Sequence, residues 1–279
     1  MNAYGQTTPL NNSNFQTAVN LWFSNQSTAI ATYGHIRDWN VTGVTSMEEA
    51  FKDKATFDEN ITGWDVSNVT NMRRIFRGAT NFNQPIGGWD MSSVTNANEI
   101  FRDASSFNQN IGDWNVSSVT NMGSMFNGAT SFDQEIRNWN VSLVTNMGSM
   151  FTGASAFNQD ISDWNVSSVT SGKMYMFTQN TTLSNAHKGL IHTSFSSNPN
   201  WDHANWSAFV PAPAILTNAN FQTAVDLWCT DKAAAFSTYG HIKDWNVTGV
   251  TNMSHAFEDK ASFDENISAW DVSNVTNMG

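Results

Sequence analysis

Tryptophan recurs every 25 residues along this chain, at Trp39, Trp64, Trp89, Trp114, Trp139 and Trp164, and the step returns at Trp245 and Trp270. Phe51, Phe76, Phe101, Phe126 and Phe151 keep the same interval, as do Val44, Val69, Val94, Val119, Val144 and Val169. Three residue types locked to one period exclude an ordinary globular domain, because a period of roughly 20–50 residues is the signature of a repeat array. One such unit cannot bury its own Trp, Val, Met, Phe and Ile. Neighbouring units must therefore stack, about 4.8 Å apart where strands pair.

A longer symmetry lies over the first. NSNFQTAVNLW at Asn12–Trp22 returns as NANFQTAVDLW at Asn218–Trp228, and YGHIRDWNVTGVT at Tyr33–Thr45 returns as YGHIKDWNVTGVT at Tyr239–Thr251, each 206 residues later. A whole array with its cover is thus followed by the start of another, which breaks off within a repeat at Gly279 and is expected to be a fragment of a longer tandem protein or a prematurely ended one.

Within one repeat, Trp64 and Val66 have the period of two that places both side chains on one face of a short strand. Val119, Met122, Met125 and Phe126 follow at i, i+3, i+6 and i+7, the apolar face of about two helical turns. Thr120 stands where an N-cap hydroxyl belongs, and Thr45 with Glu48 has capping-box spacing. The helices should end at Gly78, Gly128 and Gly153, or at Asp53, Asp103 and Asp259, residue types suited to a left-handed backbone. An Asn or Asp then follows a returning Phe, at Asn83, Asn108, Asp133 and Asn158, where it can satisfy backbone groups of the next coil. In-register stacking would set Glu48 and Glu49 beside Arg73 and Arg74, and these beside Asn98 and Glu99.

These patterns predict an α/β repeat solenoid with one short parallel strand plus a short helix per 25-residue coil, and with helical caps. The expected divisions are an N-terminal helical cap over 1–35, a six-coil array over 36–177 and a C-terminal cap over 178–209. A linker over 210–217, a second helical cap over 218–241 and a truncated second array over 242–279 complete the chain. Phe15, Ala18, Val19 and Trp22 share one helical face behind Asn14, a candidate N-cap. Phe177 arrives one residue late, after SGKMYMF, and Leu183, Ala186, Leu190 and Ile191 read as a covering helix. The second array has only two coils, fewer than the roughly three that stability usually requires.

Composition narrows the partners. With 13 Lys+Arg against 24 Asp+Glu the net charge is −11, which argues against a phosphate-backbone partner, so no nucleic acid is expected. No apolar run approaches the ~18 residues of a membrane helix, and no membrane insertion is expected within this segment. The opening MNAYGQTTPL has neither the basic nor the apolar part of a signal peptide. Cys229 is the one cysteine, which excludes an internal disulfide; it replaces Phe23 in the second cap and is expected to be a small buried hydrophobe.

The motif I-x-x-W-x-V followed by S-x-V-T-N-M-x-x-M-F-x-G-A-x-x-F-N-Q resembles the 25/26-residue repeat of BspA-like bacterial surface proteins, found also in Listeria and Mycoplasma lipoproteins and related to Treponema-type leucine-rich repeats. The match covers roughly Ile36–Phe177 and Ile242–Gly279. The resemblance implies a leucine-rich-repeat-like solenoid, an extracellular or cell-surface location and a role in adhesion or partner binding, with signal and anchor outside this segment.

The expected docking surface for a protein or glycan partner is the strand face. Its outward positions include Arg37, Asp38, Asn40, Asp65, Asp90, Asp113, Asn115, Arg137, Asn138, Asn140, Asp163 and Asn165. A structural spacer without its own ligand is the alternative. Calcium binding is a minor one, since Asp65 and Asp90 would be neighbours but no Asp-x-Asp-x-Asp-Gly loop exists. His187, His192 and His203 are not spaced as zinc ligands, so no metal and no cofactor are expected. Ice binding by the Thr70, Thr95, Thr120 and Thr145 column is a further minor alternative. Catalysis needs one unique constellation, whereas almost every acidic residue here recurs in a column, so the chain is expected not to be an enzyme.

Overall fold

The computed structural model describes residues 8–171, 174–180 and 182–279. Residues 1–7 of the expected first cap, Gly172 and Lys173 of the inserted stretch, and Thr181 lie outside the described residues. The chain divides into two compact units. One takes the described residues through Leu183 plus Ser197–Asp202, the other Ser184–Ser196 plus His203–Gly279.

The first unit opens with α1 (Phe15–Ser24) and α2 (Gln26–Tyr33). Helix α1 buries Phe15, Ala18, Val19 and Trp22, the face the spacing predicts. Asn14 does not cap it; its side chain instead accepts from the Asn11 N–H and donates to the Pro9 carbonyl. Helix α2 is capped by Asn25, whose Oδ1 accepts from the Thr28 N–H at 3.1 Å.

No α-helix forms within the repeats among the described residues, which corrects the expectation of one per coil; three-residue 3-10 helices occur instead at Ile36–Asp38, Ile86–Gly88 and Ile242–Asp244. The predicted apolar faces are buried nevertheless: Val44, Met47, Ala50 and Phe51 are each at most 1% exposed. The backbone that carries them is a run of turns. The N–H groups of Ala50, Lys52 and Lys54 bond to carbonyls three residues earlier, while those of Met47, Glu49, Phe51 and Asp53 donate to Asn71, Arg73, Ile75 and Arg77 of the next repeat. Alternate donors thus go inward and across, so no N–H is left over for an i−4 helical bond. Glu49 and Asp53 sit in the left-handed region at φ 58°. The same position recurs at Arg74, Glu99, Ser124 and Ser149, and again at Gly78, Asp103, Gly128 and Gly153. The glycine and aspartate sites were foreseen as left-handed; they close turns rather than helices.

The parallel pairing also lies elsewhere than expected. Isolated parallel bridges join Ser46 to Asn71, Asn71 to Asn96, Asn96 to Asn121 and Asn121 to Asn146. The Trp-x-Val segments of the first unit turn instead, with the Trp64 N–H bonded to the Ile61 carbonyl at 3.2 Å. From Trp64 onward each indole N–H of the first unit reaches back one repeat, Trp64 to the Ile36 carbonyl at 2.8 Å and Trp139 to that of Ile111 at 3.1 Å, whereas Trp39 bonds the Gly34 carbonyl. Indoles consequently stack, Trp139 on Trp164 with centroids 6.2 Å apart and planes 4° from parallel. Phe101, Phe126 and Phe151 form a second column at 5.7 and 5.6 Å, and Phe107, Phe132 and Phe157 a third. Phe177 still stacks on Phe151 at 5.4 Å, so the extra residue is absorbed before it.

The cover joins the ladder through one side chain. Asn12 Oδ1 accepts from the N–H groups of Thr45 and Ser46 at 2.8 and 3.2 Å, and its amide donates to Thr45 Oγ1 at 2.7 Å. In the following repeats the Thr45 carbonyl does this for Thr70 and Asn71. Asn12 replaces a missing repeat.

The second unit repeats this plan with α4 (Phe221–Thr230), α5 (Lys232–Tyr239) and α3 (Asn185–Phe195). A strand does form at its Trp-x-Val segment: β2 (Asn246–Gly249) pairs in parallel with β1 (Ile215–Thr217). Asn218 takes the role of Asn12, accepting from Thr251 and Asn252. Leu190 of α3 joins Leu216, Phe221, Trp228, Phe236 and Trp245 in the core, so helical cover supplements a unit with only two repeats.

Phe126→Ala, at 0% exposure between Phe101 and Phe151, should cost about 3–5 kcal/mol. Leu143→Ala, at 55% exposure, should stay within about 0.5 kcal/mol; urea midpoints compare them. His241 of the second unit is 8% exposed, and its Nδ1 accepts from the Lys243 N–H. Burial pulls its pKa from 6.5 to about 4 against the opposing pull of Glu265. The unfolded chain therefore binds this proton near pH 6.5 and the folded chain only near 4, so stability falls as pH drops through that window, by about 2 kcal/mol at pH 5. Thermal unfolding of the second unit at pH 7 and pH 5 measures the loss, which His241→Gln should remove.

Candidate functional site

The candidate face is built by turns rather than by a strand ladder in the first unit, and each turn is closed by the residue that was expected to face a ligand. Asn40 Oδ1 accepts from the Thr42 N–H at 3.0 Å and from its hydroxyl at 2.6 Å. Asp65 does the same with Ser67, Asn115 with Ser117 and Asn140 with Ser142. Asp90 and Asn165 accept from the N–H groups of Ser92 and Ser167. The N-x-S/T pattern of this column therefore has a local structural cause: the third residue's hydroxyl and amide hold the first.

All six residues are exposed, and the neighbouring tryptophans hold them at one register position. The Ser67 hydroxyl, then its backbone N–H, keep the Asp65 carboxyl below its ordinary pKa, and Ser92 does the same for Asp90. Both remain anionic at neutral pH. Ser67 and the Ser92 N–H hold these two carboxylates through Oδ1.

The flanking candidates are less uniform. Arg37 pairs with Asp38 at 3.5 Å, both well exposed. Arg137 bonds Asp163 at 2.8 Å across one repeat. Burial opposes the Arg137 charge, but the Asp163 bond together with the Asp163, Asp160 and Glu135 charges raises its pKa above the ordinary value. Asp113 and Asn138 are exposed. The structure thus brings the Asn40, Asp65, Asp90, Asn115, Asn140 and Asn165 column together, with Arg137–Asp163 as a local bridge.

A different edge of the repeats carries the charge ladder foreseen from register. Arg73 bonds Glu48, and Arg74 spans Glu49 at 3.0 Å and Glu99 at 3.2 Å. Arg77 and Arg102 also reach Glu99. Burial raises the Glu99 pKa, yet the Arg74 bond and the three positive charges together bring it below the ordinary value. Each of these charged side chains has a partner within the cluster, which sets four arginines against three glutamates.

The remaining candidates resolve as follows. The Thr70, Thr95, Thr120 and Thr145 hydroxyls do not cap helices; each donates to the carbonyl of the threonine one repeat earlier, at 3.1–3.2 Å. Cys229 is exposed rather than buried. Desolvation of its sulfur pushes the thiol pKa up, the opposite of an activated nucleophile. Among the described residues no group of three or more His, Cys, Asp or Glu side chains is placed to hold a metal ion. No helix of the described residues is long and apolar enough to cross a membrane.

Comparison with known proteins identifies a family. The model for "Mycoplasma protein of unknown function, DUF285" matches residues 17–127, 107–201 and 230–279. Neither the curated proteins nor the solved structures searched contain a match. The matched segments take in the first cap from residue 17 onward, the whole first array, the end of the second cap from residue 230 and the second array, so the tandem repeats place this chain in the DUF285 family.

Proposed function

We propose that this chain is a non-enzymatic solenoid of the BspA-like surface-repeat kind, exposed outside the cell, which binds a protein or glycan partner through the face carrying Asn40, Asp65, Asp90, Asn115, Asn140 and Asn165. The observation that carries the reading is the pinning of these side chains. Each is exposed, each recurs at one position of the repeat, and each has its Oδ1 fixed by a residue two places on. Side chains held in one rotamer before a partner arrives lose little entropy on binding. A row of them spaced by the repeat suits an extended, repetitive ligand better than a small molecule.

The solenoid description rests on the cross-repeat bonds from Met47–Asp53 onward and on the aromatic columns. The leucine-rich-repeat likeness is one of stacking, since the backbone of each repeat is a run of turns. A non-catalytic role fits a face whose acidic groups recur and whose carboxylates are held anionic. A spacer without its own ligand is the second reading, favoured by the same hydrogen bonds, because they give every member of the column a structural task.

Replacing Asp65, Asp90 and Asp113 together by Lys separates the two. On an array of extracellular-matrix proteins and glycans, the unaltered chain should bind at least one component. The triple variant should bind it about tenfold more weakly or not at all, the effect of reversing charge at an interface. Equal binding by both removes this face from consideration, and no ligand for either chain leaves the spacer.

A further inference from the structure

The second unit contains a nearly buried cation site that the first unit repeats without its cation. Glu265 Oε1 accepts from the Trp228 indole N–H at 3.0 Å and pairs with Lys232 Nζ at 3.0 Å. The same Nζ lies 5.5 Å from the Trp228 ring centroid. The Lys232 side chain is only 11% exposed and that of Glu265 24%, so ring and carboxylate together hold an ammonium largely out of water.

The corresponding residues of the first unit, 206 positions earlier, are Trp22, Gln26 and Glu59. The indole and the carboxylate are kept, and the lysine is replaced by a glutamine whose side chain is exposed. Among the described residues neither the Trp22 indole N–H nor the Glu59 carboxylate has a hydrogen-bond partner. Lys54 does not substitute, since its Nζ lies over the Phe23 ring at 4.7 Å. What remains is an open notch of about 280 Å³ lined by Trp22, Phe23, Gln26, Thr56, Phe57 and Glu59.

We propose that this notch binds the ammonium group of a lysine side chain presented by a partner protein, in the way the second unit binds its own Lys232. Glu59 accepts the ammonium, the face of Trp22 lies beside it, and Phe23 and Phe57 border the methylene stem. The pattern favours lysine over arginine. One carboxylate oxygen serves both the indole and the cation in the occupied copy, whereas a guanidinium fork takes both oxygens in parallel. The site is separate from the polar face proposed above and does not rest on it.

The test uses the full chain, ¹⁵N-labelled, with the indole N–H resonances followed by NMR. Nα-acetyl-lysinamide should shift the Trp22 indole signal to saturation with one site per chain, and neutral Nα-acetyl-norleucinamide should bind about tenfold more weakly or not at all. Glu59→Gln should weaken the lysine probe about tenfold. Gln26→Lys, the residue that the second unit itself carries, should fill the notch from within and abolish binding. Lys232→Gln should open the second copy, so that the Trp228 signal responds as well and the stoichiometry rises to two. Unchanged melting temperatures for Glu59→Gln and Lys232→Gln, within a few degrees, show that folding is intact. An unresponsive Trp22 signal, equal responses to the two probes, or full binding by Glu59→Gln overturns the proposal.

Discussion

The bond on which the first unit depends is the backbone hydrogen bond from one repeat to the next. Along Met47–Asp53 every second N–H crosses to the following repeat, and the ones between close local turns. That division is possible only if the chain reverses its handedness every fourth residue, as it does at Glu49 and Asp53. Left-handed backbone is unfavourable for residues other than glycine, so the cross-repeat bonds must offset it, and they do so for all copies together. Once this ladder sets the spacing, the aromatic columns follow. The side chains of Phe126 and Trp139 meet their equivalents because the backbone beneath them is already in register.

Much of this arrangement can be read from the residues. The Trp and Phe columns have no other interpretation, and Asp53, Gly78 and Gly128 announce their left-handed backbone by type. The alternating charges at Glu48, Arg73 and Arg74 also lie where register puts them. What the sequence conceals is the backbone between these points. Apolar residues at Val44, Met47, Ala50 and Phe51 satisfy a helix and a succession of three-residue turns equally well. The decisive dihedrals belong to Glu49, Arg74, Glu99, Ser124 and Ser149, residue types that carry no left-handed signal.

The candidate sites show the same division. The recurrence of Asn40 and Asp65 marks an exposed column, but its bonds to Thr42 and Ser67 depend on a turn where a strand was expected. The notch between Trp22 and Glu59 went unnoticed in the sequence, although a signal was there. Within two otherwise matching caps, Gln26 stands against Lys232, a neutral side chain against a charged one. Substitutions between internal copies are informative because the surroundings are the same and only the occupant differs.

Asn12 and Asn218 each begin the ladder of their own unit with a side-chain amide that imitates a peptide. Beyond each plug, the bonding pattern is indifferent to how many windings follow. Excising or duplicating 25 residues leaves each remaining donor opposite an equivalent acceptor, whereas a change of another size has to be absorbed locally, as the extra residue before Phe177 is. Length in such a chain is therefore quantised, and slippage or recombination at the level of the gene can lengthen or shorten the molecule in whole steps without inventing a new fold.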